Sequence, residues 1–169
     1  MSNEEKPNAQ GKGWKVFEQF PGDQLASAVC SGPHRHEEGS KIVDQNDAGL
    51  TNQSIFPFVV LPTNVSLKSK QIPLQSDDCF GTGLGRRYTS GWHVFTSRSA
   101  ARFYRFELSN DLVIGRRSID SRFVIRKVKW TGQLATGVQD PGRAKRPNTV
   151  VAKEMIILKP WWKRMLGMR

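Results

Sequence analysis

An α+β fold, mostly antiparallel β-sheet with one main helix over about residues 97–107, follows from three features of the chain. Short runs rich in Val, Ile, Phe and Trp alternate with polar residues, which is the period of a half-buried strand. Fifteen glycines and nine prolines punctuate these runs, so turns are frequent. One segment, opening at Ser97, instead carries its apolar residues at helical spacing.

The elements follow in chain order. Residues 1–13 are polar, contain Pro7, Gly11 and Gly13 and lack an apolar period, so they are expected to form a flexible N-terminal arm. Residues 14–20 (WKVFEQF) and 24–30 (QLASAVC) flank Pro21-Gly22-Asp23, the signature of a hairpin. A long polar stretch over 31–53 reads as loop, with a small apolar island at Ile42-Val43. Residues 55–61 (IFPFVVL) predict a buried strand whose first half Pro57 confines to an edge or bulge, and 65–67 and 71–74 continue the sheet. A second loop carries Gly81, Gly83 and Gly85. Residues 91–96 (GWHVFT) predict a strand that runs directly into the helix, with Ser97 as its N-cap and Ala100, Phe103, Tyr104 and Glu107 repeating along it. Residues 111–114 and 122–130 (RFVIRKVKW) read as strands, the latter extended by 133–138 after Gly132. The basic loop 140–148 precedes a last strand over 149–158, which Pro160 stops.

At 169 residues the chain suffices for one hydrophobic core, so 14–158 are expected to form a single α+β domain, followed by a basic Trp-rich tail over 159–169. Two cysteines, Cys30 and Cys79, give no disulfide framework. No basic leader with an apolar core opens the chain and no apolar run nears the ~18 residues of a spanning helix, which predicts a soluble, intracellular, cytoplasmic protein.

Charge is the most informative feature. Residues 1–60 carry five Lys or Arg against eight acids, a balance of −3; residues 61–169 carry the other 21 against seven, a balance of +14, and together they give the net +11. A basic body of this kind attracts phosphates or anionic head groups over a Debye length of roughly 8 Å at physiological salt. Arg outnumbers Lys in it, and the planar guanidinium suits paired contacts to phosphate.

The candidate polyanion-binding residues are Arg86 and Arg87, Arg98, Arg102 and Arg105 along the helix, Arg126, Lys127 and Lys129 ending in Trp130, and Arg143, Lys145 and Arg146 in the basic loop. Cations interleaved with aromatics suit single-stranded nucleic acid, since phosphates need charge and unstacked bases need flat apolar platforms. The glycines at 81, 83 and 85 match neither the dinucleotide fingerprint nor the P-loop and read as a turn, so no cofactor is expected. Cys30, His34 and His36 could share a zinc ion, but no second ligand pair with standard spacing exists. His93, in a strand beside the helix, has the chemistry of a general base or of a group that orients a ligand carbonyl, and with Glu154 around the glycine-rich loop it would serve a small transferase or hydrolase. In the tail, Trp161, Trp162, Lys163 and Arg164 resemble an anchor for a membrane surface or a protein partner.

The run Gly91-Trp92-His93-Val94-Phe95-Thr96-Ser97 with Ala100 and Tyr104, together with a final strand over 153–158, resembles parts of ADP-ribosyltransferases over about thirty residues. The resemblance implies a nicotinamide dinucleotide held near Thr96 or Ser97 and Glu154 orienting its ribose. The first-strand Arg or His of that family has no clear counterpart here.

These observations predict a small, basic, non-enzymatic protein that engages nucleic acid, or an assembly containing it such as a ribonucleoprotein or virion. Two alternatives follow from the other features: a small enzyme of ADP-ribosyltransferase-like or hydrolase type using His93 and Glu154, and a structural or interaction protein that docks by its tail.

Overall fold

The computed structural model describes residues 5–27, 41–43, 58–69, 73–74, 88–89, 91–110, 122–138 and 148–160. They form a mostly antiparallel β-sheet with a single helix, as the alternation and the Ser97 cap predict. In chain order the elements are β1 (Lys6–Gln19), a short 3-10 turn (Pro21–Asp23), β2 (Leu25–Ser27), β3 (Lys41–Val43), β4 (Phe58–Val60), β5 (Ser66–Lys68), β6 (Pro73–Leu74), β7 (Tyr88–Thr89), β8 (Trp92–Phe95), α1 (Arg98–Asn110), β9 (Arg122–Val138) and β10 (Asn148–Ile157).

The main sheet closes on itself. β1 pairs with β9, β9 with β10, β10 with β8, and β8 returns to β1 where Phe95 meets Trp14, every pairing antiparallel. β2 adds to β1 and β5 adds to β10, while β3 with β4 and β6 with β7 make separate two-stranded pairs. One face of β1 and β9 turns inward: Phe17, Leu67, Trp92, Val94, Val128, Met155 and Ile157 form the principal cluster, with Val124 and Trp130 packed against it. Trp92 is fully enclosed, and its indole N–H donates to the Leu67 carbonyl at 2.7 Å, which satisfies the buried donor and ties β8 to β5.

The other face of the same two strands receives the helix. Ala101, Tyr104 and Leu108 pack on Val16, Phe95 and Phe123, with Ile125 and Trp14 at the margin. The buried stripe is therefore 101, 104 and 108, one step from the sequence pattern, because these three residues are the ones that face β1, β8 and β9; Phe103 and Glu107 are only half-buried. Ser97 caps α1 as expected, its hydroxyl accepting from the Ala100 N–H at 3.1 Å.

One expectation needs correction. β1 starts at Lys6, so residues 6–13 are strand and not an arm; they pair with β9 as far as Gln133. A strand without apolar alternation is stable here because its hydrogen bonds come from β9 and because Gly11 lets the Trp130 ring lie over it. A Cβ on Gly11 would stand 2.7 Å from Cζ2 of that ring. β9 runs unbroken through Gly132, as the expected extension over 133–138 requires, with a register shift opposite Val151 and Ala152 on β10 and another between Lys6 and Gln10 on β1. Among the described residues, no helix is long and apolar enough to cross a membrane.

Candidate polyanion-binding face

The outward face shared by β1, β9, β10 and β5 is built in rows. Register places Trp14 beside Lys127, Lys12 beside Lys129, Ile156 and Ser66, and Gln10 beside Thr131, Glu154 and Lys68. Residues two apart on a strand share a face, so these rows succeed one another along it at about 7 Å. At one end the face is covered by α1; at the other it opens into a groove of about 410 Å³ lined by residues 10–12, 129–131, 154–156 and Ser66.

Trp14 joins the helix to the sheet. The Arg98 guanidinium lies 5.4 Å from the centroid of its ring and the Lys127 ammonium 5.7 Å, so one indole gathers a cation from each element. Each such contact is worth about 0.5–1 kcal/mol at an exposed site, enough to bias two long side chains toward a shared position. Arg102 and Arg105 continue the exposed stripe of α1 that Arg98 begins. Phe106, four residues after Arg102, is 61% exposed, an uncovered aromatic face beside those guanidinium groups. Among the described residues, no ion pair joins Lys12, Arg98, Arg102, Arg105, Lys127 or Lys129 to a carboxylate.

Arg126 lies elsewhere. It stands opposite Lys15 on the inward face, with Phe17 and Val124, while its neighbour Lys127 faces out. Burial, and then the nearby Arg122, hold the Arg126 guanidinium below its usual range. Lys15 is itself almost fully enclosed, with its ammonium 5.8 Å from the Trp92 ring centroid and donating to the His93 carbonyl at 3.3 Å. Strand alternation thus divides the Arg126, Lys127 and Lys129 triplet between two faces.

Of the catalytic candidates, Glu154 lines the groove, where it accepts a hydrogen bond from the Ser66 hydroxyl at 3.0 Å. His93 pairs with Val151 in the β8–β10 ladder and is not among the residues lining that groove. Ser97 is engaged as the helix cap. Arg86, Arg87, Arg143, Lys145, Arg146, Cys30, His34, His36 and the tail residues Trp161, Trp162, Lys163 and Arg164 lie outside the described residues. Among those described, no three His, Cys, Asp or Glu side chains are grouped to hold a metal ion.

Lys12, Trp14 and Lys68 were not singled out by the charge and aromatic pattern, yet they complete the face. The signal for the first two was present in Lys12-Gly13-Trp14, where the cation and the aromatic stand two residues apart; it becomes visible only once the segment is known to be strand. No protein-family model matches the chain, and neither curated proteins nor solved structures give a match.

Proposed function

We propose that the protein is a non-enzymatic binder of single-stranded nucleic acid, holding the phosphate backbone along the outward face of α1, β1 and β9. The observation that carries this reading is the meeting of Arg98 and Lys127 over Trp14, which makes one cationic strip from a helix and a strand remote in sequence. Arg102 and Arg105 lengthen the strip on the helix, and Lys12 and Lys129 lengthen it on the sheet. Phosphates crossing the strip would release their counterions, which is the main source of affinity for such surfaces. Phe106 offers the flat apolar face that an unstacked base needs.

Titration of a labelled single-stranded oligonucleotide against the full chain at several salt concentrations tests the proposal. Each phosphate neutralised contributes a slope of about −0.7 in log affinity against log salt for a single strand. Replacing Arg98, Arg102 and Arg105 together by alanine is expected to flatten the slope by roughly two. Arg126→Met, which removes a cation from the inward face and keeps an unbranched stem, is expected to leave the slope unchanged. A triple variant with the parent's slope, or an equal loss from Arg126→Met, would take the site away from this face.

A further inference from the structure

Glu154 is out of keeping with a surface made only to attract phosphate. Its carboxylate lines the groove at the end of a cationic strip, in the row next to Lys12 and Lys129, where it weakens the attraction that those ammonium groups exert. One of its oxygens accepts from Ser66; the other has no hydrogen-bond partner among the described residues. An ionised carboxylate only accepts hydrogen bonds, so a ligand that repays its presence must bring donors as well as negative charge. The neighbouring Thr131 and Gln10 can both donate and accept.

From this, and resting on the proposed binding of single-stranded nucleic acid, we infer that the groove is a ribonucleotide subsite in which Lys12 and Lys129 hold a phosphate while Glu154 accepts from the 2′-hydroxyl of the same nucleotide. The volume of about 410 Å³ lies in the range of sites that enclose a small ligand, and the floor is the backbone of adjacent strands with the Ile156 side chain in the lysine row. Phosphate and sugar hydroxyl are separated along one nucleotide much as the lysine row and the glutamate row are separated along the strand. The 2′-hydroxyl is the group that distinguishes RNA from DNA, so the subsite makes the protein selective for RNA.

The test compares a single-stranded oligoribonucleotide with the oligodeoxyribonucleotide of the same sequence, uracil replacing thymine, on the full chain. A hydrogen bond to a charged acceptor predicts a preference for RNA of about tenfold or more. Glu154→Met removes both charge and acceptor and is expected to bring the two affinities within about twofold of each other, since no partner for the hydroxyl is left. Glu154→Gln keeps an acceptor and the Ser66 contact while removing the charge; it should tighten both ligands and retain part of the preference. Equal affinity of the parent protein for the two ligands overturns the subsite, as does a preference that survives Glu154→Met. If both ligands bind equally with a steep salt dependence, only the subsite fails. If neither shows salt-dependent binding, the proposed function fails with it. Glu154→Gln keeps the test decisive should the methionine variant melt early, because unchanged affinities and an unchanged ratio there also exclude a role for the carboxylate.

Discussion

A methyl group on Gly91 would sit 2.6 Å from the Ala152 carbonyl oxygen, 2.8 Å from a Val151 methyl and 2.9 Å from a Leu134 methyl. The first of these is backbone in the β8–β10 ladder and cannot rotate away. Gly91→Ala should therefore push β8 off β10, at a cost of about 1–3 kcal/mol, the usual range for overpacking. Urea unfolding would show a lower midpoint with an unchanged slope; a midpoint within error of the parent would mean that the strands close less tightly than described. The same closeness matters for the candidate site. Trp92, the next residue, enters the core there, and Phe95, three further on, is what β1 meets at Trp14. Trp14 in turn holds Arg98 and Lys127, so the position of the two cations depends on how well β8 is seated.

At the scale of elements, α1 carries the clearest local argument. Its buried stripe of Ala101, Tyr104 and Leu108 leaves Phe106 on the far side, where an apolar ring gains nothing for folding. Phe106→Ala should leave the melting temperature nearly unchanged while lowering affinity for single-stranded oligonucleotide by about 1–3 kcal/mol, the range for one base stacked on an aromatic ring. The salt dependence should not move, because no cation is removed. Loss of stability instead of affinity would show that the ring packs in the folded protein and is no platform. The helix itself was legible in the sequence, as Ser97, the arginine stripe and the end of β8 each mark it within a few residues. So was β10, since 149–158 are rich in Val and Ile and end before Pro160. The first half of β1 was not legible: Lys6 to Lys12 have neither alternation nor β-branched side chains, and their extended form is imposed by β9. The candidate face inherits this asymmetry. Lys127 and Lys129 stand out because their strand alternates, whereas Lys12 and Trp14 acquire a common side only from a pairing that the local sequence does not encode.

For the molecule as a whole, the decisive fact is that β9 is paired on both sides. Residues 128–131 face β1 at residues 10–13 and β10 at 154–157, and the ring is completed where β8 joins β10 to β1. A ring of this kind cannot lose one strand without exposing the interior shared by Phe17, Trp92, Val128 and Met155, so its strands should open together. Native-state hydrogen exchange in increasing urea would measure this. Amides of β9 on the β1 side, residues 122–127, and on the β10 side, 134–138, should reach the same opening free energy within about 1 kcal/mol and share the dependence of global unfolding. β2 and β5, each joined to the ring by a short three-residue ladder, should exchange at lower free energy. Two separate plateaus, one for each half of β9, would divide the ring into independent hairpins. The outcome bears on function, because the cationic strip and the groove are placed by different halves of β1 and β9. A ring that opens as one unit keeps Arg98, Trp14 and Lys127 in fixed register with Lys12, Lys129 and Glu154, as a ligand spanning both requires.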